Sequence, residues 1–181
     1  MPTYIAFLRA INLGAKRKFA KADIIKAVES IGGTAVETHI NTGNVRFDLP
    51  ERSRAKVEAA LEKAFEADRG FEVPTIVFTP QEMCAIVEDA DRIARDHEQS
   101  GGRHYVSLVK QKPTAAAMEK LNEYAAEGER AESGGRAVHL LLGPDYHTAR
   151  LTNAPVEKHL GVATNRNVTV IRKVAEKWCG D

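Results

Sequence analysis

Twice along this chain an apolar stretch is followed by a helical pattern, a pair of alternating stretches and a second helical pattern. That order constrains the fold more than any single motif. In the first copy, Tyr4–Leu8 (YIAFL) is apolar at every position, as in a central strand covered on both faces. Ile24, Ile25, Val28 and Ile31 recur at helical spacing, and Gly32-Gly33 ends that helix. Residues 36–40 (VETHI) and 45–49 (VRFDL) then alternate with the two-residue period of strands. A two-residue loop at Thr42-Gly43 predicts the hairpin pairs Asn41–Asn44, Ile40–Val45, Thr38–Phe47 and Val36–Leu49. The same register sets Glu37 against Asp48 and His39 opposite Arg46. Val57, Ala60, Leu61, Ala64 and Phe65 give a second amphipathic helix, and FEVPTIVF follows as a strand whose Pro74 places it at a sheet edge.

The second copy opens on Thr79-Pro80-Gln81-Glu82, a capping box with proline at the first helical position. The spacing predicts a helix through Ile93, then a linker over residues 95–103. HYVSLV (104–109) reads as a strand, and Met118, Leu121 and Ala125 mark a helix. Glu129–Ser133 and RAVHLLL form a hairpin around Gly134-Gly135, and a short helix runs from Pro155 to Gly161. The terminal stretch NVTVIRKVAEKW carries two signals: VTVI favours strand, VIRKVAEKW favours helix. Order β-α-β-β-α-β, repeated, predicts an α+β protein of two ferredoxin-like subdomains packed together, residues 1–80 and residues 81–181, the second including a C-terminal helix.

Composition narrows the function classes. With 43% hydrophobic and 28% charged residues the chain has a globular balance, and no apolar run approaches the roughly 20 residues of a membrane helix. MPTYIAFLRA lacks the basic start and cleavage site of a signal peptide. The only two cysteines, Cys84 and Cys179, provide neither a disulfide framework nor a thiolate metal site, and a cytoplasmic setting is expected. A net charge of +1 gives no global pull toward nucleic acid or anionic membranes, but the bases are unevenly placed. Arg9, Lys16, Arg17, Lys18 and Lys21 precede the first acidic residue, Asp23.

That basic segment contains INLG (Ile11–Gly14), and the hairpin turn contains INTG (Ile40–Gly43). In a ferredoxin-like unit the end of the first strand and the turn between the next two lie at one edge of the sheet, so the two segments are expected to be neighbours. The start of the first helix, whose N–H groups attract anions, lies at the same edge. Asparagine amides, glycines that allow close backbone approach and several cations make this edge a candidate anion pocket. Neither segment has the spacing of a phosphate loop or a dinucleotide fold. Turn chemistry alone accounts for both asparagines and both glycines.

YIAFLRAINLG, HINTGNVRF, FEVPTIVF with a helix after it, HYVSLV and TNRN followed by RK resemble, in order along nearly the whole chain, the mainly bacterial family known as domain of unknown function 1697. The resemblance implies two related α+β subdomains and no established activity, cofactor or substrate. Its pattern carries onto Arg9, Asn12, Gly14, Asn41, Gly43, Asn44, Thr164, Arg166 and Asn167. Two departures stand out. Ala15 occupies a position where glycine is common, and Val168-Thr169-Val170 replaces Trp-Asn-Thr, which weakens the case for a role of the C-terminal segment.

Three readings follow. The first is a binding protein for a phosphate-bearing ligand, a nucleotide or short RNA, held by Arg9, Asn12, Gly14, Lys16, Arg17, Asn41, Gly43, Asn44, Arg166 and Asn167. The second is a group-transfer or hydrolytic enzyme using the same cleft, with Asp23 or His39 as general base. The third makes the motif architectural within a protein-interaction module. No cofactor or metal is expected: His97, His104, His139, His147 and His159 show no HxH or HxxxH spacing, and no serine sits in GxSxG. Cys84 reads as a packing residue of a helix and Cys179 as part of a frayed terminus.

Overall fold

The computed structural model describes residues 1–99 and 101–180, which divide into two compact units, Met1–Pro80 and Gln81–Asp181. The first unit runs β1 (Thr3–Leu8), α1 (Lys21–Ser30), β2 (Thr34–His39), β3 (Asn44–Asp48), α2 (Arg54–Arg69) and β4 (Thr75–Phe78). Its strands form one antiparallel sheet in the order β2-β3-β1-β4. This is the ferredoxin-like arrangement, with the uniformly apolar β1 inside and the strand that follows Pro74 at the edge. Tyr4, Ala6, Leu8, Val45, Phe47 and Val77 pack on one face with Ile24 and Val28 of α1 and Val57, Leu61 and Phe65 of α2. Ile5, Phe7, Ile76 and Phe78, on the alternate positions, are buried as well.

The hairpin departs from the two-residue loop. His39 pairs with Asn44, Thr38 with Val45 and Glu37 with Arg46, so four residues, Ile40–Gly43, form the turn. The pairing is shifted by two residues from the one apolar matching predicts, which keeps the facing of each side chain. Two local effects favour it. Glu37 meets Arg46 instead of Asp48, and the Asn44 amide closes the turn by donating to His39 O at 2.9 Å and Thr42 Oγ1 at 3.2 Å. Asp48 instead accepts from Thr3 Oγ1 at 2.6 Å and lies 3.1 Å from Arg46 Nη2. A bulge between Thr34 and Glu37 then shifts the pairing so that Thr34 faces Asp48.

The second unit carries α3 (Pro80–Gln99), β5 (Arg103–Val109), α4 (Ala115–Asn122), β6 (Arg130–Gly134), β7 (Ala137–Leu142), α5 (Asn153–Leu160), β8 (Ala163–Asn167) and α6 (Val168–Trp178), with a 3-10 turn at Tyr146–Thr148. Its antiparallel sheet, β6-β7-β5-β8, repeats the first topology. Two expectations are corrected here, and one open alternative is decided. The linker over residues 95–103 is mostly helix: α3 continues to Gln99, because a charged sequence with no glycine or proline has no reason to stop, while Ser100 lies outside the described residues. The hairpin loop is Gly135-Arg136, since Gly134 still pairs with Ala137. At the C-terminus the strand is ATNRN, and the β-branched VTV begins a helix. Asn167 caps that helix through Thr169 N at 2.9 Å, and Val168, Ile171, Val174, Ala175 and Trp178 bury one stripe. Burial of that stripe outweighs the local strand preference of VTV.

Candidate functional site

The candidate site is the edge of the first sheet where β1 ends. INLG and INTG touch there, joined chiefly by the Asn12 side chain. Leu8 N donates to Gly43 O at 2.8 Å. The Asn12 amide donates to Asn41 O at 2.6 Å and to Phe19 O at 3.1 Å, and its Oδ1 accepts from Phe19 N at 2.9 Å. Asn12 N donates to Arg17 O at 2.7 Å. One side chain therefore folds the β1–α1 connection back on itself and ties it to the hairpin turn. Gly43 lets the turn approach: a Cβ at this position would lie 2.7 Å from Leu8 Cβ and 2.9 Å from Ile11 Cδ1, and its φ is +81°. Asn44, fully buried, holds the turn from beneath.

Arg17 is also committed to the frame. Its Nε donates to Ala10 O at 2.6 Å and its Nη2 to Glu72 O at 2.7 Å, while the guanidinium stacks 4.5 Å from the Phe71 ring centroid. Arg69 fixes the far end of the connection through Lys18 O at 3.3 Å, Asp23 Oδ2 at 3.4 Å and the Phe19 ring. What remains facing outward is Leu13 (69% exposed), Gly14, Ala15, Lys16 and Lys18. The backbone in this stretch is unusual. Ala10, Asn12 and Gly14 have positive φ of 55°, 54° and 76°, with Ile11 and Leu13 between them on the negative side. Alternating φ signs turn successive N–H groups toward one concavity, the geometry of an anion-binding nest. Among the described residues no acceptor meets the N–H of Leu13, Gly14, Ala15 or Lys16.

The other predicted residues fall into place as follows. Arg9 directly follows β1, and its N–H donates to Pro74 O at 2.9 Å. Asn41 contributes its carbonyl, and its side chain is exposed. His39 faces Asn44, not Arg46. Asp23 pairs with Arg69, and neither Asp23 nor His39 is among the groups Asn12 bonds. Arg166, in β8, is buried and donates to Thr164 Oγ1 and to Asn165 O, both at 2.8 Å; burial pushes its pKa down to about 10. Asn167 spends its side chain on the α6 cap.

Two polar clusters in the second unit carry little sequence signal. His104 Nε2 and His139 Nδ1 lie 2.9 Å apart, both buried, and among the described residues His139 Nε2 has no partner. Burial first, then the neighbouring His104, pushes the His139 pKa down to about 4. Ser107, buried, bridges Asn153 and Asn165 at 2.8 and 3.0 Å. A histidine in an otherwise apolar strand is the only hint of the first pair, and pairing it requires the sheet register. Among the described residues no three His, Cys, Asp or Glu side chains converge as metal ligands.

Fold and edge together define a duplicated ferredoxin-like α+β protein whose first unit presents a braced, basic connecting loop. The chain belongs to the family described as "Protein of unknown function (DUF1697)", which matches residues 1–139. Among solved structures it is similar to the conserved bacterial protein SP0830 from Streptococcus pneumoniae, at 21% identity over 99% of both chains with a TM-score of 0.77. That likeness concerns the fold. A weaker match, TM-score 0.25 and 14% identity over 87% of this chain and 91% of the other, is to the regulatory subunit of aspartate kinase from Thermus thermophilus. No curated protein sequence matches the chain.

Proposed function

We propose that the chain is a binding protein for a phosphate-bearing ligand, a nucleotide or the phosphorylated end of a short RNA, held at the β1–α1 loop. The observation that carries this reading is the run of unbonded N–H groups from Leu13 to Lys16 on a backbone of alternating φ sign. Lys16 and Lys18 add positive charge beside that concavity, and both are exposed. In this arrangement the motif residues divide by task. Asn12, Arg17, Gly43 and Asn44 brace the loop, Gly14 keeps it open, and the backbone and lysines meet the phosphate. Arg9 adds charge at the end of β1, Asn41 borders the loop, and Arg166 and Asn167 belong to the frame of the second unit.

The competing reading is that the motif is architectural, within a module that binds protein. Its support is the Asn12 side chain, whose donors and acceptor are spent on Phe19 and Asn41 backbone groups. A thermal-shift titration of wild type and a Lys16→Ala/Lys18→Ala variant separates the two. The probes are inorganic phosphate, nucleoside mono- and triphosphates and a 5′-phosphorylated tetranucleotide. Ligand at a hundredfold excess over its Kd stabilises the native state by about 2.7 kcal/mol, which is readily measured. Stabilisation of the wild type, weakened in a variant of unchanged intrinsic stability, supports phosphate binding. Equal shifts in both proteins, or none, favour the architectural reading.

A further inference from the structure

The two cysteines of this chain are ninety-five positions apart in sequence, yet the structure brings them together. Cys84 lies on the second turn of α3, and Cys179 is the residue that caps the C-terminus of α6. The Cys84 thiol donates toward Cys179 O, 4.0 Å away, which sets the two cysteines side by side. Both are free and half-buried, so small oxidants reach them.

The meeting follows from how α3 and α6 pack. Arg172 Nη2 of α6 donates to Asp91 Oδ1 of α3 at 3.0 Å. Seven residues separate Cys84 from Asp91, and seven separate Arg172 from Cys179. At about 1.5 Å of rise per residue both intervals span about 10.5 Å, so the helices run antiparallel in matched register. The ion pair ties one level of this pair and the cysteines face each other two turns away, at the free end of α6. Each helix also buries an apolar stripe: Met83, Ile86, Ala90 and Ile93 on α3, and Ile171, Val174, Ala175 and Trp178 on α6.

We propose that Cys84 and Cys179 form a reversible intramolecular disulfide that staples α6 to α3 when the protein meets a peroxide. The chemistry balances with hydrogen peroxide as the two-electron oxidant. The Cys84 thiolate attacks one peroxide oxygen and releases hydroxide, leaving Cys84 as a sulfenic acid. The Cys179 sulfur then attacks the sulfenic sulfur, its thiol proton leaving with the departing hydroxide as water. Overall two thiols and one peroxide become one disulfide and two waters. The order of attack follows from the environment. Burial and the Cys84 thiol push the Cys179 pKa up, which suits Cys179 to the second, resolving step.

The test uses the full chain, reduced, desalted and treated with stoichiometric hydrogen peroxide. The expected product is a monomer lighter by about 2 Da, with no thiol titratable after denaturation and both thiols restored by dithiothreitol. A dimedone adduct on Cys84 in the Cys179→Ser variant, and no fast adduct on Cys179 in Cys84→Ser, fixes the order of attack. Because the disulfide closes a long loop, the oxidised monomer is expected to melt about 5 °C or more above the reduced one. Monomer that keeps two thiols, overoxidation to sulfinic acid without a disulfide, or products that are only intermolecular dimers would overturn the proposal. An intact disulfide that leaves the melting temperature unchanged would overturn the staple.

Discussion

Substituting Gly43 by alanine tests whether INLG and INTG are pressed together as the structure has them. Two costs add. The residue sits at φ +81°, where an alanine Cβ is strained by about 1 kcal/mol relative to glycine. The new Cβ also meets Leu8 Cβ at 2.7 Å and Ile11 Cδ1 at 2.9 Å. Leu8 Cβ is pinned to β1, so the turn must retreat, and overpacking of this kind costs about 1–3 kcal/mol. The sum is about 2–4 kcal/mol, enough to lower the urea midpoint clearly. Gly14→Ala provides the internal control. Its φ is +76°, nearly the same, but nothing lies within 4 Å of the added carbon, so only the backbone term of about 1 kcal/mol applies. Urea unfolding of the three proteins, followed by circular dichroism, reads the difference directly. If Gly43→Ala loses no more stability than Gly14→Ala, the two segments are not in close contact and the bracing argument fails.

The remaining predictions concern the same edge and the buried histidines. Asn12→Ala removes three hydrogen bonds to Phe19 and Asn41 and should cost about 2–3 kcal/mol, whereas Asn41→Ala, which keeps its carbonyl, should cost under about 0.5 kcal/mol; equal losses in denaturant titrations would contradict the assigned roles. Ile40 has φ +53° and is 37% exposed, so Ile40→Asn, better suited to that backbone, should stabilise the protein by about 1 kcal/mol, and a clear loss would refute strain there. His139 is held neutral, facing His104 from β5 and Asp89 and Arg92 from α3, with Glu132 opposite it on β6. Its folded pKa lies below its unfolded one, so stability is complete above about 6.5 and falls as pH drops toward 4, by about 3 kcal/mol. His139→Gln should flatten that part of the pH–stability curve, and an unchanged slope would move the cause elsewhere.

Patterns that repeat within a few residues were legible in the sequence. The unbroken apolar run Tyr4–Leu8 places β1 inside its sheet, Pro74 marks the edge, and the repeated order of elements defines the duplicated fold. Boundaries failed where a nonlocal term decides. Matching apolar residues across the hairpin could not register that Glu37 prefers Arg46 to Asp48, nor that the Asn44 amide closes a four-residue turn. The segment Val168–Val170 has strand-forming residues, but the sheet already takes its last strand from ATNRN, and the buried stripe of α6 settles the rest. Proximity of INLG and INTG followed from topology alone. How Asn12 and Arg17 are used did not, because both spend their polar groups on carbonyls that only the folded loop brings within reach.

The duplication sharpens where a ligand site is to be sought. Both units make the same backbone bond between the end of the first strand and the last turn residue: Leu8 N to Gly43 O at 2.8 Å, and Val109 N to Arg136 O at 3.0 Å. This bond is a property of the shared topology, so it cannot by itself mark function. The side chains around it differ. In the second unit the turn residue is a buried arginine that donates to Val109 O and to both oxygens of Glu82, which fills the edge with a charge pair. In the first unit the equivalent position is a glycine, the brace comes from Asn12 one strand-end away, and the loop beyond it is left exposed with unbonded N–H groups. A geometry that one unit closes with its own arginine and carboxylate is open in the other, with backbone N–H groups and lysines beside it. That difference, more than the motif, is the reason to look for a ligand at the first unit rather than the second.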